Sequence, residues 1–417
     1  MDVLTFDGHH RSMTPTDMTT RGQAVIGLAA MTHDAYAGVD LKPIWDGLVE
    51  RVGADPYDAG ALLDISNLLL LTGQRTEGLQ AQAHALALNQ VYERAGQPGG
   101  LRLLTFVKAG DFMANTPLDF LLKDSKATLI QIYVDGISPL PPIPDHDVAI
   151  VAIGEADDSH PILASLKTVL ETWPRPVLNR KVQAIIDLSR SAVSDLFAQS
   201  RLVIAPRTLR LSRQTLVEIA ARRAELDPVL SWPLLVRPVG SHAGNNLEKI
   251  TDPDALRTYL RGFDSEKAYV ASFVDYASAD GQFRKYRIGL IGKKPYLSHL
   301  AISDHWMVHY LNAGMSDSKA KRDEEAQAMA QFDEAFALRH KAALDELCAL
   351  IDLDYFAIDC AETADGKLLL FEADAAMIIH AMDEPDLFPY KRPQMKKLFG
   401  AFQDLLDGAV SAPQHSL

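Results

Sequence analysis

The sequence predicts an α+β protein in which a helical N-terminal unit and a small α/β domain precede a larger α+β unit. Three observations carry this. Apolar residues between Leu41 and Glu93 recur at helical spacing. Between Leu101 and Leu178, short β-branched runs alternate with a helical pattern, as in a small parallel sheet. Beyond Trp232, strands arrive in hairpin-like succession and the helical stretches are segregated from them.

Taken in order, residues 1–35 are weakly patterned. The segment Asp55–Leu88 opens on Asp-Pro and runs through Ala61, Leu62, Ile65, Leu68 and Leu69. After a break at Gly73 it continues through Leu79, Ala81, Ala85 and Leu86. This helix–turn–helix has the length of one tetratricopeptide unit, about 34 residues, but such arrays need about three units to bury their faces. It reads as a helical cap packed on its neighbour or as a surface for a protein partner or self-association. Gln97-Pro98-Gly99-Gly100 is a linker.

Leu101–Val107, Thr128–Val134 and Val148–Ile153 are continuous apolar runs suited to strands buried on both faces. Leu118–Leu122 and Ile162–Glu171 read as helices, Arg175–Leu178 as a short strand and Val182–Ser200 as a helical bridge. Further on, strands are predicted over Leu234–Val236, Leu247–Ile250, Tyr269–Val274, Tyr286–Ile291 and Leu297–Ile302. Helices follow over Pro253–Arg261 and within Ala320–Leu350, and a last hairpin pairs Phe356–Glu362 with Leu368–Ala373. The resulting domains are 1–98, 99–180 and 181–405, with 406–417 as a tail.

Bulk properties narrow the function. A formal net charge of −14 in 417 residues excludes a general nucleic-acid binder, which needs a basic face. No apolar run reaches the ~18 residues of a membrane helix, and no secretory leader is legible at the N-terminus. With only Cys348 and Cys360, a reducing cytoplasm is the expectation.

The strongest chemical signal is the segment Tyr355–Asp374. Asp365-Gly366 between two apolar runs predicts a two-residue hairpin turn. Pairing about that turn sets Asp359 opposite Glu372, with Asp374 two residues on along the same face. Three carboxylates are thereby expected to converge. Like charges opposite each other on a sheet repel, so cations or a raised pKa must compensate. Mg²⁺, which takes one or two carboxylates and fills its octahedron with waters and phosphate oxygens, suits such a set. Glu362 falls on the opposite face.

Two further segments supply partners for phosphate. The loop Gly240-Ser241-His242-Ala243-Gly244 between strands has the small residues of an anion-binding nest, with Arg237 at its entrance. It lacks the Gly-Lys-Ser/Thr ending of a P-loop. On the strand Phe283–Leu290, Arg287 alternates out of phase with Tyr286 and Ile288 and points toward the acids. Arg284 and Lys285 suit a solvated face. The span from His299 through His305 to His309 adds three histidines in no metal-binding spacing.

These elements in this order resemble the ATP-grasp superfamily, as in glutathione synthetase, D-alanine–D-alanine ligase and ribosomal-protein glutamate ligases. The resemblance implies two α+β lobes, a nucleotide lobe over about 190–275 and a metal and catalytic lobe over about 276–405. It implies ATP as cosubstrate and one or two Mg²⁺, replaceable by Mn²⁺, held by Asp359, Glu372 and Asp374. Arg190, Arg237 and Ser241 would hold phosphates. Phe273, Val274 and Asp275 would line the base and ribose site, and Arg287 would be catalytic. Substrate contacts would come from His242, Arg284, His299, His305 and His309. The implied reaction is ligation of a carboxylate to an amine or other nucleophile through an acyl phosphate, on a small-molecule or peptide-like substrate. The alternatives are a kinase that forms no amide and a nucleotide-binding scaffold. Arg237 and Arg190 stand where the superfamily usually has lysine, and Asp374 where asparagine is common.

Overall fold

The computed structural model describes residues 24–241 and 244–411. His242 and residues 1–23 and 412–417 lie outside the described residues. The chain divides after Ala95 into two compact units.

In the first unit, helices α1 (Leu28–Tyr36), α2 (Lys42–Ala54), α3 (Ala59–Leu71) and α4 (Arg75–Leu88) precede strand β1 (Val91–Arg94). Helix α3 starts because Asp58 caps it, its carboxylate accepting the Ala61 N–H at 2.9 Å. It ends at Thr72 and Gly73, whose φ of 81° suits glycine. Asp64, fully buried within α3, accepts the Ile26 N–H at 2.7 Å and so ties the start of α1 to the unit. The helical reading through Glu93 is corrected at β1, where the β-branched and aromatic pair Val91-Tyr92 enters a strand.

The second unit opens with the α/β domain. Strand β2 (Arg102–Val107) pairs in parallel with β3 (Thr128–Tyr133) and with β4 (Val148–Val151), and β4 with β5 (Val177–Leu178). Helices α5 (Leu118–Leu121) and α6 (Ser159–Glu171) connect them. Strand β4 is buried along its whole length, as its unbroken apolar run requires. The predicted bridge over Val182–Ser200 is two short helices, α7 (Val182–Ile186) and α8 (Arg190–Leu196). Ser189 divides them by capping α8.

Two antiparallel sheets follow. The first has strand order β7-β10-β8-β9, with β7 Thr208–Ser212, β8 Leu234–Pro238, β9 Glu248–Ile250 and β10 Lys267–Ser272. Helices α9 (Arg213–Ala220) and α10 (Pro253–Tyr259) cover it, burying Leu216, Ile219 and Leu256 against Leu234, Val236 and Val270. The second has order β12-β11-β13-β14-β6, with β6 Val203–Ile204, β11 Phe283–Ile291, β12 Lys294–Ser303, β13 Tyr355–Glu362 and β14 Leu368–Asp374. Within this sheet β6 runs parallel to β14. A segment inside the span assigned to the nucleotide lobe thus belongs to the sheet that carries Asp359, Glu372 and Asp374.

Helices α11 (Lys319–Ala330), α12 (Phe336–Arg339), α13 (Lys341–Ile351) and α14 (Lys391–Ser411) complete the unit. The expected tail from 406 is corrected by α14. Leu398, Phe402 and Leu406 are wholly buried in the cluster that contains Tyr355 and Ala357 of β13, so the helix is part of the core. Burying side chains of this size stabilises by roughly 1.5–3 kcal/mol each. The fold is mixed α+β, as the sequence predicts, and no helix among the described residues is long and apolar enough to cross a membrane.

Candidate active site

The hairpin β13–β14 is closed differently from the expectation. The Thr363 N–H donates to Lys367 O at 3.0 Å and the Gly366 N–H to Thr363 O at 2.8 Å. The loop therefore has three residues, Ala364 to Gly366, with Gly366 at φ 77°. That shift alone would move Asp359 away from Glu372. A bulge between Asp359 and Cys360 reverses it, and Asp359 does lie opposite Glu372, with Ala357 opposite Asp374. Two one-residue departures cancel, and the predicted pairing of the acids survives.

Across the other edge of β13, Arg287 lies directly opposite Asp359. Its Nε and Nη2 donate to the two carboxylate oxygens at 2.8 and 3.0 Å, and its Nη1 donates to Ile378 O at 3.0 Å. Lys285, two residues back on the same face, donates to Asp359 Oδ2 at 2.8 Å. Asp359 is only 4% exposed. Burial raises its pKa, but Arg287 and Lys285 outweigh burial and hold the carboxyl well below its ordinary value. Glu372 accepts from Arg190 Nη2 at 2.5 Å, while Arg190 Nη1 donates to Phe371 O at 3.2 Å. Burial again opposes ionisation of Glu372, and Arg190 with Arg237 prevails. Asp374 has no cation of its own. Burial, then the neighbouring Glu372, pushes it up to about 7, although its carboxylate accepts the Ala376 N–H at 2.8 Å. Cations and a raised pKa, the two remedies inferred from the sequence, are thus both present, each at a different acid.

Arg237, at the end of β8, is buried. Its Nε donates to Ser241 Oγ at 3.0 Å and its Nη2 to Ser241 O. Burial and the nearby Arg190 lower its pKa to about 10, which leaves the guanidinium charged at neutral pH.

These groups line one cavity of about 330 Å³. Leu235, Ala271, Phe273, Val274 and Phe371 are among its apolar lining residues. Lys249 Nζ lies 3.5 Å from the centre of the Phe273 ring, and Trp306 meets the same ring edge-on at 5.7 Å. The charged part holds Arg190, Arg237, Lys285, Arg287, Asp359, Glu372 and Asp374. Met113, His309, Met377 and Ile378 also line the cavity.

Of the residues singled out from sequence, the cavity gathers Arg190, Arg237, Phe273, Val274, Arg287, His309 and the three acids. It does not gather the others. Ser241 is engaged with Arg237. Asp275 turns back to accept the Ala277 N–H at 3.0 Å. Arg284 faces away, held by Asp280 at 2.8 Å and Glu324 at 2.5 Å. His299 is packed on Tyr310 at 4.5 Å, and burial holds its pKa well below the ordinary value. His305 lies on Trp306 at 5.4 Å. His242 lies outside the described residues. Lys285 is the principal residue missed. Its place two positions before Arg287 on a strand was the available signal, and it corrects the solvated-face reading.

The metal expectation is corrected in one respect. Among the described residues no three His, Cys, Asp or Glu side chains are gathered as a metal cage. Arg287 and Lys285 occupy both oxygens of Asp359. Glu372 and Asp374 nevertheless remain two hard oxygen donors on one strand. Asp374, half-buried beside a second acid, is a group whose ionised form a divalent cation would stabilise. That donor set fits Mg²⁺ completed by phosphate oxygens.

No protein-family model and no curated protein matches this sequence. Among solved structures, a RimK-domain ATP-grasp protein from Sphaerobacter thermophilus is similar over 74% of this chain and 100% of its own, at 15% identity and TM-score 0.40. D-alanine–D-alanine ligase from Bacillus anthracis complexed with ATP is similar over 74% of this chain and 97% of its own, at 11% identity and TM-score 0.45. VanG D-Ala:D-Ser ligase from Enterococcus faecalis is similar over 75% of this chain and 99% of its own, at 10% identity and TM-score 0.47.

Proposed function

We propose that the chain is an ATP- and Mg²⁺-dependent ligase of the ATP-grasp kind, joining a carboxylate to an amine or other nucleophile with release of ADP and phosphate. One observation carries the reading. A single cavity joins an apolar wall that includes Phe273 and Phe371 to four cations and three acids brought in by helix α8 and strands β8, β11, β13 and β14. An anion without a divalent cation would satisfy the arginines but not Asp374. A metal without a polyphosphate would leave the arginines competing with it for the same acids. Mg·ATP satisfies both at once.

In this reading the base lies between Phe273 and Val274. Arg190 and Arg237 exchange their present partners, Glu372 and Ser241, for phosphate oxygens, in charge-assisted contacts that a guanidinium makes bidentately. Glu372 and Asp374 would hold Mg²⁺, which supplies charge neutralisation at the β- and γ-phosphates. The substrate carboxylate oxygen attacks the γ-phosphorus, the bond to the β-phosphate oxygen breaks, and ADP leaves. An acyl phosphate results, and the nucleophile then displaces phosphate from its carbonyl carbon. Arg287 and Lys285, fixed by Asp359, are preorganised donors for the oxygens on which charge develops. Asp359 serves this reading best as the counter-ion that positions them.

The test is calorimetry of ATP binding with and without Mg²⁺, on the wild type and on Glu372→Gln, followed by ATP-dependent phosphate release with pooled acids and amines. Mg²⁺-dependent binding that the substitution abolishes is the expected result. A folded wild type that binds no ATP under either condition removes the proposal.

A further inference from the structure

The cavity has a third wall, beside the charged cluster, formed by the loop after β2 and the loop after β14. Both loops are fixed. Thr116 Oγ1 donates to Ala375 O at 2.8 Å. The Gly154 N–H donates to Ala114 O at 2.9 Å, and Lys108 and Asn115 are joined by a reciprocal pair of hydrogen bonds at 2.8 Å each. On the second loop, Asp374 takes the Ala376 N–H and Arg287 takes Ile378 O. The backbone on both sides of Met377 is therefore pinned, and what the loops present to the cavity is preformed.

What they present is apolar. Met113, Met377 and Ile378 line the cavity near Arg287 and Asp374. His309 adds the remaining polar ring there. Burial, Lys285 and Arg287 all push its pKa below the ordinary value, so it adds no positive charge. Each cation of the cavity is engaged by the acids, by Ser241 or by backbone carbonyls. A second negative charge on a substrate would meet methionine and isoleucine beside three acids. In this reading a positive charge there would find Asp359 taken by Arg287 and Lys285, and Glu372 and Asp374 given to Mg²⁺.

Resting on the ligase reading, we infer that the carboxylate substrate carries an uncharged, apolar body next to its reacting carboxylate, of aliphatic or thioether character. Met113 and Ile378, the half-buried residues of these loops, select it. Methionine side chains fill irregular shapes and accept aliphatic and aromatic groups alike, so a family of apolar acids is expected rather than one. A hydrophobic wall separates substrates differing by one methylene by only ~10–200-fold. A charged body is excluded more strongly, because it would be buried without a partner.

The experiment uses the full chain and probes of matched length: 4-methylpentanoate, glutarate and 5-aminopentanoate. Binding of each is measured by calorimetry on protein saturated with Mg²⁺ and a non-hydrolysable ATP analogue, and phosphate release is measured with ATP. Met113→Lys, on a half-buried loop residue, is compared with wild type. The expected result is that the aliphatic acid binds at least about tenfold more tightly than either charged acid, and that Met113→Lys narrows or reverses the preference for it over glutarate. Glutarate or 5-aminopentanoate binding as well as the aliphatic acid, or no discrimination among the three, overturns the inference while leaving the ligase reading intact. Failure of the ATP analogue itself to bind removes both, and the two failures are read separately.

Discussion

Replacing Asp359 by Asn keeps the shape of the side chain and removes the charge that two buried cations share. Arg287 makes two of its three hydrogen bonds to this carboxylate, at 2.8 and 3.0 Å, and Lys285 makes one at 2.8 Å. All three side chains are less than a fifth exposed. Removing one partner of a buried ion pair costs roughly 3–5 kcal/mol, a large part of the ~5–15 kcal/mol that holds a domain folded. In an Arg287→Met background only Lys285 remains to be orphaned, so the same substitution should cost less by roughly 1–3 kcal/mol, the coupling of groups in one network. The pH dependence has a definite sign. A carboxyl whose folded pKa lies below its unfolded value stabilises fully above the unfolded value, near 3.9, and loses that contribution as pH falls through the folded value. Wild type and Asp359→Asn should therefore differ most at neutral pH, and the gap should begin to narrow below about pH 4 as pH falls toward the folded value. Urea unfolding of the four proteins of the cycle, followed by tryptophan fluorescence at pH 7 and near pH 3.5, measures both effects. Additive costs within ~0.5 kcal/mol, or an undiminished gap at low pH, would refute the account of Asp359 as an ionised counter-ion.

Asp374→Asn should stabilise the ligand-free protein while weakening Mg·ATP binding. An acid held at about 7 in the folded protein costs stability progressively as pH rises from its unfolded value, near 3.9, to about 7, so the gain in thermal midpoint should grow over that range, level off above it and be absent near pH 4; no gain at pH 8 counts against the crowded-acid reading. Lys285→Met should lower kcat with little effect on ATP affinity, because its charge is spent at Asp359 beside Arg287; a loss confined to ATP affinity would move it to the phosphate site. Glu325, fully buried, accepts from Tyr390 at 2.6 Å, Tyr310 at 2.9 Å and the Leu300 N–H at 3.1 Å, with Lys391 Nζ at 3.4 Å. Glu325→Gln should cost roughly 2–4 kcal/mol by stranding Lys391, seen as a lower unfolding midpoint; an unchanged midpoint would show that Asp383, 3.1 Å from Lys391, suffices.

What was legible in the sequence follows from what is local. Strand alternation placed Arg287 on the face of the acids, because a period of two depends on nothing but the backbone. The hairpin acids were legible for a weaker reason. The turn was misread by one position and the bulge beside Asp359 was invisible, since a bulge answers to packing across the sheet. Their cancellation preserved a pairing that neither inference alone had secured. Arg284 was misplaced because one of its two partners, Glu324, is set by where α11 lands. The same holds for His299, whose ring is taken by Tyr310, and for α14, whose polar composition conceals the face that buries Phe402. Lys285 is equally legible: the alternation that puts Arg287 on the face of the acids puts Lys285, two residues back, on the same face.

The ion pairing has a consequence for how a nucleotide would enter. Arg190 holds Glu372, and Arg237 holds Ser241 on the glycine loop. In the proposed reading the phosphate-binding cations and the metal-binding acids neutralise one another until Mg·ATP arrives. A polyphosphate alone would have to take Arg190 from Glu372 and leave two half-buried acids side by side. A metal alone would have to displace Arg190 with no phosphate to receive it. Each half of the ligand removes the obstacle to the other, so binding of Mg²⁺ and of ATP should be strongly and reciprocally coupled. Substituting Arg190 by Met breaks the exchange at its centre. It should let Mg²⁺ bind without nucleotide, while ATP affinity falls and the coupling between the two ligands shrinks toward none. Calorimetric titration of each ligand in the presence and absence of the other, on wild type and Arg190→Met, reads that coupling directly. Equal coupling in the two proteins would mean that the Arg190–Glu372 pair is a bystander.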